Sequence, residues 1–311
     1  MNPGPSFGYT EREWAFLELA ATWSGYFVPR QFGQFVGGSP GAVTQALVQK
    51  LLANRHARLS IHARNVHLYH LSARPLYAAL EQENNRHRRL RPAHQVRTKL
   101  MVLDFVLARR EECFLASEKE KLEHFLEAGI RPETLPKRSY VGKNNTPTVR
   151  YFLDKFPVLR CGEETVFTFV TGDSPSRSPF LTYLDEYWRL FSALGTARLV
   201  YVTSRETLAA AAEADLASYL GRHRGAEPAG LRAFFFLRTR HENGGPELSI
   251  EELRTLRAGM QKYTGIGYEA LYRSLSSGAQ TVLPEGRLGP EIRFEAALLP
   301  HRYDLFGDIR G

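Results

Sequence analysis

The sequence predicts an α+β protein: an amino-terminal unit of three helices and a two-stranded hairpin, then an α/β domain on a central mixed sheet. Three observations lead there. Over residues 11–83, apolar residues recur first at helical spacing and then in alternation. From residue 100 onward, helical and strand patterns succeed one another, as in a mixed sheet flanked by helices. Charge is also unevenly laid. The 311 residues carry a net +8, yet residues 19–99 hold 12 Lys/Arg against Glu81 and Glu83, while residues 100–311 hold 28 of each sign. Between Leu19 and Leu80 there is no Asp or Glu at all, where average usage would place about six to eight. A charge excess confined to one segment points to a polyanionic partner.

Taken in order, "EREWAFLELAATW" (11–23) places Trp14, Leu17 and Ala21 on one helical face, with Glu11, Glu13 and Glu18 outside. After Gly25, "VPRQFGQFVG" sets Pro29 at a first helical position, with Phe32 and Phe35 three apart. Ser39 reads as an N-cap and Pro40 as the first residue of a third helix, "PGAVTQALVQKLLANR". Val43, Leu47 and Leu51 form its core stripe, and Ala42, Gln45 and Gln49 the opposite side. Two alternating strands follow, "ARLSIH" (Ala57, Leu59, Ile61) and "VHLYHL" (Val66, Leu68), joined by Ala63-Arg64-Asn65. A helix from Pro75 to about Glu83 closes the unit.

Three helices and a hairpin, with Ser39, Val43, Thr44, Leu47 and Leu51 at these positions and the hairpin running into "HLSARPLYAAL", resemble the winged helix-turn-helix domains of bacterial regulators and plasmid proteins over about residues 9–82. The resemblance implies a helix in the major groove and a wing over the backbone, surfaces on which a carboxylate would be repelled. Gln45 and Gln49 would read adenine bidentately, and Thr44 would meet a phosphate or a thymine methyl. Arg64 at the wing tip would reach phosphate or the minor groove. Arg30, Ser39, Lys50, Arg55, His62 and Asn65 complete the expected DNA surface. A winged helix used for protein contacts is the blander reading. His56, His62, His67 and His70 match no zinc spacing, so no metal or other cofactor is expected.

The stretch "EQENNRHRRLRPAHQVRTK" packs Arg86, Arg88, Arg89, Arg91, Arg97 and Lys99 beside this unit, where further phosphate contacts are expected. The expected organisation is a DNA-binding domain over 1–83, a basic linker over 84–99 and an α/β domain over 100–311 that dimerises or binds a protein partner.

In that third part we read a helix at 94–110, a strand "CFLA", a Ser117-capped helix ending at Gly129 and a loop, "RPETLPKRSYVGKNNTPT". Two long strands, "VRYFLDKFPVL" and "ETVFTFVTG", come next, then helix 179–194, strand "ARLVYVTS", helix 205–220, strand "LRAFFFLRT" and helix 249–263. The tail is helical to Ser276 and irregular beyond. This order resembles the core of the PD-(D/E)xK nuclease superfamily, and a winged helix followed by such a core is similar to the replication-relaxation family of plasmid and mobile-element proteins. That core implies an acid at one hairpin strand and Glu-x-Lys on the next, holding a divalent metal and steadying the attacking water. Asp154 would be the first acid. The second strand, however, reads Phe167-Thr168-Phe169-Val170-Thr171, with Asp173 only beyond Gly172. The metal cage is therefore incomplete, and no catalysis is expected. A metal-dependent nuclease with Asp154 and Asp173 as ligands is the alternative, and a non-catalytic adaptor a second one.

No P-loop, dinucleotide fingerprint or nucleophile elbow is present. In "PFLTYLDEYWRLFSAL", Phe180, Leu184, Tyr187, Trp188 and Phe191 serve as core, with a dimer surface as the sharper reading. Cys113 and Cys161 read as buried free thiols. The chain opens without a basic, apolar leader, and apolar runs such as Ala233–Leu237 are too short to span a bilayer. The expectation is thus a cytoplasmic, homodimeric protein without a membrane partner that binds double-stranded DNA sequence-specifically and regulates transcription or replication of a mobile element.

Overall fold

The computed structural model describes residues 4–38, 41–62, 66–141, 147–162, 164–223, 230–263, 266–276 and 290–303. The chain is a mixed α+β protein with a mixed central sheet. Its first part runs α1 (Glu11–Trp23), β1 (Tyr26–Phe27), α2 (Pro29–Val36), α3 (Ala42–Ala53), β2 (Ala57–His62), β3 (Val66–Leu71) and α4 (Arg74–Ala79). The strands form an antiparallel sheet in the order β1-β3-β2. Thr10 starts α1 through a capping box with Glu13, which satisfies two otherwise orphaned amides. Trp14, Leu17 and Ala21 are buried as their spacing predicts. Glu13 is buried as well, against expectation, because Lys50 of α3 reaches it at 2.7 Å.

The second part continues with α5 (Ala93–Ala108), β4 (Cys113–Leu115), α6 (Glu118–Glu127), β5 (Lys137–Val141), β6 (Pro147–Tyr151), β7 (Val158–Cys161), β8 (Glu164–Val170), α7 (Ser178–Leu194), β9 (Thr196–Thr203), α8 (Glu206–His223), α9 (Leu231–Glu242), α10 (Ile250–Lys262), α11 (Ile266–Ser276) and β10 (Glu291–Leu298). The five-stranded sheet has the order β10-β9-β8-β7-β4, parallel from β10 to β8 and antiparallel from β8 to β4. Alternation along the strands divides its faces. Val166, Val170, Val200 and Val202 pack against α5, while Phe167, Phe169, Leu199 and Tyr201 pack against α6, α7 and α8.

The second half of α5 is buried on every side. Its eight residues Leu100–Leu107 are all buried, with Leu103 and Leu107 in the core of the first part and Leu100, Val102 and Val106 in the core beneath the sheet. A helix apolar all round belongs in an interior. Asp104 sits in this run and is saturated with donors. The Arg30 guanidinium meets it at 2.9 and 3.1 Å, the Gln31 amide at 2.8 Å and the Tyr303 hydroxyl at 2.7 Å. Gln31 also donates to the Leu100 carbonyl.

Several expectations are corrected. The strand read across 149–159 is two strands in different sheets, broken where Phe152 and Lys155 take φ values of 49° and 56°. The segment read as a loop before it supplies β5. "LRAFFFLRT" is helical: Leu231, Phe234 and Phe235 are buried at helical spacing and Phe236 is exposed, so tertiary packing overrides aromatic β-propensity. The tail read as irregular contains β10, whose eight residues pair with β9. The aromatic side chains of α7 are core. Phe180, Leu184, Tyr187 and Phe191 are buried, and Trp188 meets Tyr219 and His223 of α8. Both cysteines are free, but Cys113 is exposed. Among the described residues no helix is long and apolar enough to cross a membrane.

The Asp104 knot gives a direct test. Arg30→Met leaves a buried carboxylate without its cation and is expected to cost about 3–5 kcal/mol in urea denaturation. Adding Asp104→Asn should recover more than half of that loss, because the uncompensated charge is removed.

Candidate nucleic-acid interface

Helix α3 turns Thr44, Leu47, Val48 and Leu51 into the core. The stripe is therefore out of phase with the expected one: Val43 is 58% exposed, and Thr44, expected on the outer side, is 4% exposed with its hydroxyl unpartnered. Gln45 and Gln49 are exposed, one turn apart on the outer face. Leu52 lies on the exposed side too. That face carries amides and aliphatic groups without a charge between Ala42 and Gln49, the chemistry that reads base edges rather than phosphates.

Two expected DNA-contacting cations are engaged inside the protein. Arg30 belongs to the Asp104 knot, and its guanidinium lies over the Tyr303 ring. Lys50 holds the buried Glu13. Moving either side chain to a phosphate would strand a buried carboxylate, which counts against both as phosphate contacts. Arg55 is exposed just beyond α3, with φ 55°. His62 is half-buried at the end of β2, 3.2 Å from the Ser60 hydroxyl. Arg58, which sequence reasoning passed over, is exposed on the same strand, and Ile61 is 61% exposed. An alternating hairpin that already carries Arg64 at its tip offers no signal that would single out Arg58. Ser39, Arg64 and Asn65 lie outside the described residues.

The basic stretch is a packed segment rather than an open run. Arg86–Arg88 form a 3-10 turn, whose His87 is buried with Nδ1 2.9 Å from the Ser24 carbonyl. The His87 carbonyl faces Gly25, where φ is +76° and an added Cβ would lie 2.4 Å from it, so this crossing requires glycine. Arg86 and Arg89 are exposed, and Arg88 and Arg91 half-buried. Behind them Lys99 contacts His87. Burial, then repulsion by Lys155 and Arg91, pushes Lys99 down to about 7. Burial, then Lys99 and Lys155, holds His87 well below the usual imidazole range. Burial followed by Arg86 and Arg91 lowers Lys155 as well. Cations gathered this closely favour an anion among them.

The two carboxylates of the nuclease alternative line one cavity of about 1080 Å³ at the carboxyl end of β8, with His94, Arg97, Arg205 and Glu186. Both are occupied by local donors. Asp173 accepts from the Thr203 hydroxyl at 2.8 Å, the Ser204 amide at 2.9 Å and the Ser204 hydroxyl. Asp154 accepts from the Tyr187 hydroxyl at 2.7 Å and the Phe156 amide at 3.0 Å, and burial raises its pKa. On β8, Thr168 is fully buried and donates to the Pro157 carbonyl. Among the described residues no three His, Cys, Asp or Glu side chains are grouped to hold a metal ion.

No family model matches the chain, and the searches of curated proteins and solved structures return no match either.

Thr44 separates interface from core. Thr44→Val removes a buried hydroxyl that lacks a partner and is expected to stabilise the protein by about 1 kcal/mol in thermal or urea unfolding, with duplex affinity unchanged. A loss of affinity at unchanged stability would return Thr44 to the interface.

Proposed function

We propose that this chain is a sequence-specific double-stranded DNA-binding protein whose first part works as a winged helix-turn-helix. In this reading α3 is the recognition helix and β2–β3 the wing, and the chain regulates transcription or replication of a mobile element. The observation that carries the reading is the complete absence of carboxylates between Leu19 and Leu80, over a unit whose third helix presents Gln45 and Gln49 outward. The order α1-β1-α2-α3-β2-β3 with the short β1 closing the sheet against β3 supports it, since a helix presented beside a projecting hairpin suits one groove and its flanking backbone. Arg55, Arg58, Arg86 and Arg89 remain exposed for phosphates.

The test is selection of bound duplexes from a random library, followed by affinity against salt. An enriched motif is expected, its symmetry reporting whether a homodimer binds. With about five phosphates neutralised, log affinity should fall with log salt at a slope near −4 to −5. Gln45→Ala should relax preference at one base position by about 1–3 kcal/mol and leave random-sequence affinity unchanged. Equal losses on selected and random duplexes would remove Gln45 from readout.

A metal-dependent nuclease is the second reading, favoured by the shared cavity of Asp154 and Asp173 and by a strand order β4-β7-β8-β9 that suits the PD-(D/E)xK core. It is weakened by Thr168 and Val170, which stand where that core needs its acid and lysine, and by the donors that already fill both carboxylates. Incubation with supercoiled and single-stranded DNA in Mg²⁺ or Mn²⁺ should leave the DNA intact. Nicking that disappears in Asp154→Ala would establish the nuclease instead.

A further inference from the structure

The β5–β6 hairpin belongs to neither of the larger sheets. Among the described residues its strands pair only with each other. Every residue of β5 is exposed, and so is β6 up to Arg150. A lone two-stranded hairpin has little stability of its own in water, so one held out from the body suggests a use for its surface. In the sequence, Lys137 to Leu153 carry no Asp or Glu.

The register makes the charge pattern sharper. Arg138 lies directly opposite Arg150, and Tyr140 opposite Thr148 on the same face. Like charges facing each other across a strand pair oppose the pairing, at Cβ separations of about 5 Å. Each arginine turns to a carboxylate outside the hairpin, Arg138 to Glu186 at 2.5 Å and Arg150 to Glu118 at 3.5 Å. Both pairs are solvent-exposed, a class worth about 0–1 kcal/mol, so an incoming phosphate can replace either carboxylate at little cost. At the foot of the hairpin, Arg150 and Lys155 line one cavity with Arg86, in which Glu81, Glu83, Glu118 and Glu120 also stand.

We propose that the β5–β6 hairpin is a second duplex-binding element, in which Arg138 and Arg150 grip the phosphate backbone. This rests on the DNA-binding reading and extends it into a domain whose overall charge is balanced. The occupant is a nucleic-acid backbone rather than an acidic protein surface, because the face offers two forked guanidiniums beside an aromatic ring and only short polar neighbours.

The experiment measures fluorescence anisotropy of the full chain on a labelled duplex several turns long, across a salt series. Arg138→Ala with Arg150→Ala should weaken binding about tenfold or more at low salt and make the salt slope shallower by about 1.8, the value for two phosphates. Glu118→Gln with Glu186→Gln, which frees both arginines and keeps the acceptor for the Tyr151 amide, should tighten binding about two- to fivefold at low salt. A misfolded variant would not gain affinity. Wild-type binding with neither variant changing slope or affinity overturns the hairpin's role and leaves the first part as the binding unit; this is also the result a protein-binding hairpin would give. Failure of the wild type to bind any duplex overturns both readings.

Discussion

A single buried carboxylate ties the molecule together. Asp104 lies in the buried second half of a helix that belongs to two cores, and its donors come from α2 and from Tyr303, a residue 199 positions away. A charge in that position is tolerated only when its oxygens are filled. The first part therefore sits on α5 in a geometry fixed by Arg30 and Gln31, the first-turn residues that also set the direction of α2. Since α3 packs on α2, the aim of Gln45 and Gln49 depends on a contact buried well away from them.

The same network changes how the charge of the first part is understood. The sequence shows a large positive excess, but Arg30 and Lys50 neutralise Asp104 and Glu13 inside the fold. What remains outward is a division of labour: uncharged amides on the exposed face of α3, and arginines on the hairpin and the connector around it. Lys99 and His87 form a separate class, packed together behind the arginines, where burial and neighbouring cations oppose their protonation.

Much of this architecture was legible from residue patterns. Local signals carried well: Thr10 and Ser117 begin helices as capping boxes because their partners three residues on are Glu13 and Glu120, and the alternating valines and aromatics of β8 and β9 predict a sheet covered on both sides. Failures arose where packing decided between equal local options. In α3, Val43 and Thr44 are both β-branched, and only the docking on α2 and β2 selects which enters the core. The triple phenylalanine of α9 suits strand and helix alike until Gly230 and the Tyr263 ring choose the helix. Strand β10 alternates only at its start, Ile292 and Phe294 between Glu291, Arg293 and Glu295, and its partner lies some ninety residues earlier, so no local feature reveals that pairing. The outward placement of Gln45 and Gln49 was legible from the uncharged face of their helix. The engagement of Arg30 and Lys50 was not, since neither partner is a sequence neighbour.

The remote origin of Tyr303 has a consequence for biosynthesis. At ribosomal rates of about 5–20 residues per second, roughly 10–40 s separate the appearance of Asp104 from that of the hydroxyl that completes its shell. Throughout that interval the nascent first part can form its own helices and hairpin, yet α5 lacks β10's share of the sheet and one of the groups that hold its carboxylate. Final locking of the first part onto α5 is thus deferred until residue 303 has been made. A chain interrupted before that point would leave the ribosome with α3 made but its support on α2 and α5 imperfectly seated, a natural substrate for chaperones and proteases.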